Sequence, residues 1–213
     1  MDLMDGRVKI YDISMKLTKD MPVYKGKETK KPVFMTDSDF TTGTAYESRL
    51  NLNMHTGTHI DRPLHILPDG AAMDTLDLSQ VITKCKVFDF TEANEKISAS
   101  ELVLKDIAED DFILLKTKNS FFHILENEFI YLDRFGADYL AEKKVKGVGI
   151  DSLGIERSQP EHETHKILLR EDIVILEGLR LKEIEEGEYF LIAAPLNIDK
   201  AEAAPVRAVL LRC

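Results

Sequence analysis

Three histidines and one aspartate fall within the run His55-Thr56-Gly57-Thr58-His59-Ile60-Asp61-Arg62-Pro63-Leu64-His65, in a chain that has 6 histidines altogether. Imidazole and carboxylate are the ligands expected for Zn²⁺, and they also suit Mn²⁺ or Fe²⁺. On a helix His55 and His59 would share a face, but Asp61 would point elsewhere, and Gly57 and Pro63 both disfavour the helix. An extended segment works better. Gly57 permits a tight bend, Pro63 fixes the exit, and His59 and Asp61 face the same side of the chain. Polar groups of these types are rarely buried unless paired or ligating, so a metal site is favoured over a solvated polar loop.

A metal needs more donors than this run supplies, and hydrolases often use two ions. The remaining histidines are His123, His162 and His165. Residues 161–170 follow Pro160 and read as a helix whose inner side carries Leu168 and Leu169. That helix would take His165 inward, with His162 one turn back on the same face. Glu177 closes the apolar run Ile173-Val174-Ile175-Leu176 and precedes Gly178. A carboxylate at the end of a buried strand is costly unless it finds a cation, and the other reading is a surface turn. The residues alone leave those two readings even.

Other short runs have strand character. Residues 8–13 and 50–54 alternate apolar and polar, and the second is expected to deliver the chain to the site. Residues 87–90, 112–115, 148–150 and 173–176 are compact apolar runs of buried-strand type, with two more at 189–194 and 206–211. Helices are fewer. Ser98 and Glu101 form a capping-box pair for a short helix through Lys105. Residues 133–144 carry Phe135, Tyr139 and Leu140 at helical spacing, with Gly147 as a stop. The fold class is α/β and β-rich. No Pro/Gly/Ser-rich linker or repeat interrupts the chain, so residues 1–213 are expected to form one domain.

Composition narrows the partners. Lys and Arg total 28 against 38 Asp and Glu, a formal net charge of −10. Nucleic-acid binding needs a basic stripe, and an anionic membrane surface repels such a chain, so neither is expected as a partner. The N-terminal run Met1-Asp2-Leu3-Met4-Asp5-Gly6 is unlike a signal peptide, and no apolar run approaches the ~20 residues of a membrane span. Cys85 and Cys213 suggest neither a disulfide framework nor a paired zinc motif. A cytoplasmic location is expected. There is no G-x-S-x-G nucleophile elbow and no Gly-rich phosphate loop, which argues against serine hydrolase and nucleotide chemistry.

The run from His55 to His65 resembles the HxGTHxDxPxH motif of the cyclase family of metal-dependent hydrolases, which includes bacterial kynurenine formamidase and isatin hydrolase. All seven fixed positions of the motif are present. Tyr11-Asp12-Ile13-Ser14 and Met21-Pro22-Val23-Tyr24 resemble the family's opening, and Gly147-Val148-Gly149-Ile150-Asp151-Ser152 its central strand. His165-Lys166-Ile167-Leu168-Leu169, with the run after Ile173, resembles its closing motif.

The resemblance implies a swivelling β/β/α single domain, assembled as a homodimer or higher homo-oligomer. It implies two divalent metal ions per chain, zinc first and manganese as the other choice. His55, His59 and Asp61 would be ligands, with Asp61 as the bridge, completed by His165 and Glu177. His65 would be the catalytic acid/base. The implied activity is hydrolysis of amide or formamide C–N bonds, most like an arylformamidase of tryptophan catabolism. Metal-activated water would attack the carbonyl, and His65, with a pKa near neutrality, would pass a proton to the leaving nitrogen. The rivals are a single-metal cyclic amide or lactone hydrolase of the isatin hydrolase type, and a non-catalytic protein that binds metal or a small acid. Lys25 and Lys27 beside Gly26, Arg62, and the run Thr117-Lys118-Asn119-Ser120 depart from the family pattern at positions near the substrate in relatives.

Overall fold

The computed structural model describes residues 8–122 and 128–212. His123 and Cys213 lie outside the described residues. In chain order the strands begin with β1 (Lys9–Asp12), β2 (Val33–Ser38), β3 (Glu47–Asn51) and β4 (His59–Asp61). They continue with β5 (Ile82–Asp89), β6 (Lys96–Ile97) and, after helix α1 (Ala99–Leu102), β7 (Phe112–Lys116) and β8 (Tyr131–Leu132). Helix α2 (Arg134–Glu142) leads into β9 (Gly147–Ile150), and α3 (Glu163–Arg170) into β10 (Val174–Glu177). The last strands are β11 (Gly187–Ile192), β12 (Ala203–Pro205) and β13 (Val209–Arg212).

Nine of these strands join in one mixed sheet, in the order β1-β13-β11-β5-β7-β9-β10-β4-β12. The middle pairs, β5 with β7, β7 with β9 and β9 with β10, are parallel. The sheet curls on itself. Ser14, just past β1, bridges Leu179, just past β10, and Arg180 N donates to the Ile13 carbonyl. Both faces of the middle strands are therefore buried, which is why they read as unbroken apolar runs. Phe112, Leu114, Val174 and Leu176 point into the curl with Ile13, Ile60 and Leu210. Ile113, Leu115, Val148, Ile150 and Ile175 point outward to meet Leu140 of α2 and Leu168 and Leu169 of α3.

The strand-rich α/β class expected from the sequence is the one found, and local chemistry sets several element ends. The Ser98 amide donates to Glu101 Oε2 at 2.9 Å in the expected capping box, although the helix stops at Leu102 rather than Lys105. Asp133 caps α2 by accepting from Gly136 N at 2.9 Å. On that helix Phe135 is exposed, and Gly136, Ala137 and Leu140 form the inner face instead. Residues 50–54 are not a strand that feeds the site. The strand there is β3, which among the described residues pairs with β2 alone, in a two-stranded ribbon whose residues are mostly exposed. Its alternation is therefore that of a free-standing ribbon. The strand that enters the site is β4, within the histidine-rich run itself.

Candidate metal centre

Strand β4 supplies the floor. It lies antiparallel to β10 with His59 opposite Glu177 and Asp61 opposite Ile175. Alternation sends Ile60 into the curled core and turns His59 and Asp61 to the other face, beside Glu177. Glu177 ends a strand of four buried residues at the carboxyl edge of the parallel strands, where α/β sheets commonly place ligands. His165 reaches the same point from α3, and His55 from the turn before β4.

These side chains converge. Asp61 Oδ1 lies 3.0 Å from His55 Nδ1 and 3.5 Å from His59 Nε2, while Oδ2 lies 3.5 Å from His165 Nε2. Glu177 Oε2 is 3.3 Å from His59 Nε2 and its Oε1 is 3.4 Å from His165 Nε2. Asp61 thus stands between a half formed by His55 and His59 and a half that holds His165. The His65 ring is 4.1 Å from that of His55 and 5.4 Å from that of His165. All six candidate residues are brought together. His162 is not among them. It caps α3 in a left-handed conformation (φ 54°), with its side chain half exposed, because the helix begins at Glu163 rather than Glu161.

Surrounding groups aim the ligands. His59 Nδ1–H donates to the Gly57 carbonyl at 2.9 Å, which leaves Nε2 bare and turned to the centre. Gly57 has φ +75° and packs against Gly178, φ +72°, where a Cβ would strike the Gly57 carbonyl. Thr58 Oγ1 donates to the Gly178 carbonyl and accepts from Met15 N, both at 2.7 Å, which locks the turn to the end of β10. The Glu177 carboxylate is fixed by Ile155 N at 2.5 Å.

Glu156 is the residue that sequence reasoning missed. One oxygen lies 2.9 Å from His165 Nδ1 and 2.7 Å from His162 Nδ1, and the other accepts from the amides of Thr164 and His165. It therefore caps α3 and orients His165 at once. The only signal for it was a carboxylate shortly before a histidine-bearing helix. Glu202 is a second omission, with Oε1 3.3 Å from His55 Nε2.

Electrostatics follow from burying so many charges together. Burial opposes the charged form of His59, but Asp61 and Glu177 outweigh it and push the imidazole up to about 8. His165 is raised well above its ordinary value against the same burial, through Asp61, Glu156 and Glu177. Burial and the Asp61 charge oppose ionisation of Glu177, yet His165 and His59 hold it down to about 2. Burial pushes His65 the other way, down to about 4. The expected value near neutrality is not what the structure gives. Cys85 is buried in β5 and pushed up to about 12, which makes it unreactive.

The residues fit a divalent cation. His59 Nε2 and both Asp61 oxygens are fully buried and lack a hydrogen-bond partner among the described residues. An unsatisfied buried polar group costs about 1–3 kcal/mol, more when charged, and a cation coordinated by these atoms removes that penalty. Donor atoms of His59, Asp61 and Glu177 lie within 4.8 Å of one another, and so do those of His55, Asp61 and His65. The geometry alone therefore also admits His65 as a ligand. Glu156, His162 and His165 meet the same distance, but they are already paired with one another.

Arg62 is a correction. It is buried, with Nη1 3.1 Å from Asp172 and Nε 3.5 Å from the Ala72 carbonyl, so it braces the structure behind β4. No helix of the described residues is long and apolar enough to cross a membrane.

Known proteins resemble this chain over most of its length. A family model described as "Putative cyclase" matches residues 11–157. A kynurenine formamidase of Sphingopyxis alaskensis is 31% identical over 212 residues, covering 95% of this chain and 97% of that protein. A solved structure described as a "predicted metal-dependent hydrolase from Bacillus stearothermophilus" is 46% identical with a TM-score of 0.88, covering 96% of this chain and 98% of its own. An isatin hydrolase bound to thioisatinate, 24% identical with a TM-score of 0.86, covers 99% of this chain and 94% of its own, and shares the fold.

Proposed function

The chain belongs to the cyclase family, and on that premise we propose that it is a metal-dependent hydrolase of amide or formamide C–N bonds, most like an arylformamidase. One observation carries the reading. Five candidate ligand side chains from three separate parts of the chain meet in a centre where His59 Nε2 and both Asp61 oxygens lack a hydrogen-bond partner among the described residues, with His65 at its edge. The named kynurenine formamidase and metal-dependent hydrolase relatives support the substrate class.

His55, His59, Asp61, His165 and Glu177 would hold the metal. Asp61 faces both halves of the centre, which supports two ions with this carboxylate between them. Zinc suits the imidazole and carboxylate set best, with manganese the alternative. When bound, the metal activates water at neutral pH and polarises the substrate carbonyl. His65, unprotonated at pH 7, takes the proton from the attacking water and passes it to the departing nitrogen. The curled sheet behind β4 and β10 keeps bulk water from the ligands' inner side.

The sheet draws strands from residue 9 to residue 212, which supports one domain over the chain. Exposed Phe34, Met35 and Leu50 on the β2–β3 ribbon support a homodimer or larger homo-oligomer, to be tested by light scattering. A cytoplasmic location belongs to the same reading and is tested by cell fractionation.

The test is elemental analysis of protein purified without added metal, paired with N-formylkynurenine hydrolysis before and after chelation. Two ions per chain and chelator-sensitive turnover are expected. One ion with turnover on imides or lactones instead would favour the single-metal alternative, in which His65 joins His55 and Asp61 as a ligand. Absence of metal under every loading condition would remove the proposal.

A further inference from the structure

Residues 25–31, Lys25-Gly26-Lys27-Glu28-Thr29-Lys30-Lys31, hold four lysines against one glutamate in a chain whose net charge is −10. Lys31 is paired with Glu28 at 2.7 Å. Lys25 and Lys30 have no carboxylate at ion-pair distance among the described residues. Their ammonium groups lie 5.1 and 5.5 Å from the centre of the Tyr24 ring.

That ring belongs to the site. It rests on Gly154, where a Cβ would sit 3.4 Å from Tyr24 Cε2, and its centre is 6.2 Å from that of Phe129. Leu153 and Met15 complete the apolar patch. The same loop supplies Ile155 N to Glu177 and the Glu156 carboxylate to His165. Lys30 is tied in from the other side, because its carbonyl accepts from Thr56 Oγ1 at 2.6 Å and Thr56 follows His55 directly. Lys25 holds a left-handed backbone (φ 56°), strained for a residue with a Cβ.

Charge then decides what the lysines face. Burial weakens the charged form of the half-buried Lys30, Glu177 and Asp61 favour it, and Lys27 and Lys25 oppose it. A cation coordinated by Asp61 and Glu177 neutralises both attractive partners and leaves only the repulsive ones. A half-buried ammonium in that position needs an anion.

We propose that Lys30, with Lys25 beside it, seats a carboxylate of the substrate, so that this chain selects amides whose apolar part packs on Tyr24 and carries an acidic group. The proposal rests on the amide hydrolase reading and narrows it. The departure from the family pattern at Lys25 thereby acquires a role. N-formylkynurenine, which bears a carboxylate, is compatible, and a neutral anilide is the disfavoured case.

The experiment compares kcat/KM for N-formylanthranilate and for formanilide, in the metal-loaded wild type and in Lys30→Met, Lys25→Met and Lys31→Met. Calorimetric binding of anthranilate to the same proteins is the second readout. Loss of a charge-assisted contact should lower the acidic-to-neutral ratio about tenfold or more in Lys30→Met, mainly through KM. A smaller drop is expected in Lys25→Met and little change in Lys31→Met. Anthranilate should bind more weakly to Lys30→Met, and added salt should weaken its binding to the wild type. An equal ratio in wild type and Lys30→Met overturns the proposal and leaves amide hydrolysis standing. If neither amide is hydrolysed, N-formylkynurenine turnover decides the reaction reading and binding decides the proposal: Lys30-dependent anthranilate binding upholds the carboxylate seat, and unchanged binding in Lys30→Met overturns it.

Discussion

Glu156→Ala separates the positioning of a ligand from ligation itself. Glu156 performs two tasks, accepting from the first-turn amides of α3 at 2.9 and 3.3 Å and holding His165 Nδ1 at 2.9 Å. Losing a helix cap costs about 1 kcal/mol, and at about 2–4 °C per kcal/mol for a chain of this size the metal-free protein should melt about 2–4 °C lower. Losing the carboxylate behind a ligating histidine typically costs 10–100-fold in metal affinity. Glu156→Gln keeps an oxygen for the helix amides but removes the charge from His165. It should melt near the wild type without metal and still bind metal more weakly. Competition with a chromophoric chelator reads the affinity, and thermal melts in excess chelator read the cap. Wild-type metal affinity in Glu156→Ala would refute the reasoning, since His165 would then need no partner to face the centre.

Further outcomes follow from the same geometry. Gly178→Ala forces a Cβ into the Gly57 carbonyl at φ +72°, so it should destabilise the fold by about 1–3 kcal/mol and weaken metal binding, both read from melts with and without metal. His65→Ala should keep its metal by elemental analysis and lose about 10²–10⁴-fold in turnover; loss of metal would make His65 a ligand. In the metal-free protein the His59 pKa rises from 6.5 to about 8 on folding, so its stabilisation is complete below 6.5 and is lost as pH rises through about 8. Metal-free melts should therefore fall by a few degrees between pH 6.5 and 8, by about 1 kcal/mol of a total near 2, whereas metal-loaded protein should not follow, because ligation needs neutral imidazole. Chelation at neutral pH should lower the melting temperature of loaded protein by about 5–10 °C, the linkage expected near 100-fold saturation.

Much of this site was legible because its chemistry is concentrated in sequence. His59, Asp61 and the glycine-bounded turn could be placed on one extended segment from spacing alone, and β4 has that form. The buried strands β7, β9 and β10 were readable as apolar runs because both of their faces are covered. Glu177 stayed even on residue chemistry until the family pattern was considered, because a strand-end carboxylate looks the same whether it faces solvent or a cation. The run at residues 50–54 was misread because alternation does not tell a strand what it pairs with. Phe135 fits an inner helical stripe by spacing, yet Gly136 and Ala137 allow the close approach that turns it outward. Glu156 gave only the weak signal of a carboxylate shortly before a histidine-bearing helix, and Lys30 gave none, since its contact arises only when its loop folds beside Thr56.

The most direct test of the metal centre is the metal content of Asp61→Asn. Asp61 is fully buried and faces both halves of the site, so removing its charge should cost the bound metal while the chain still folds, as judged by its far-ultraviolet spectrum. Full metal content in that variant would contradict the account, because a centre that does not need Asp61 is not the one described here.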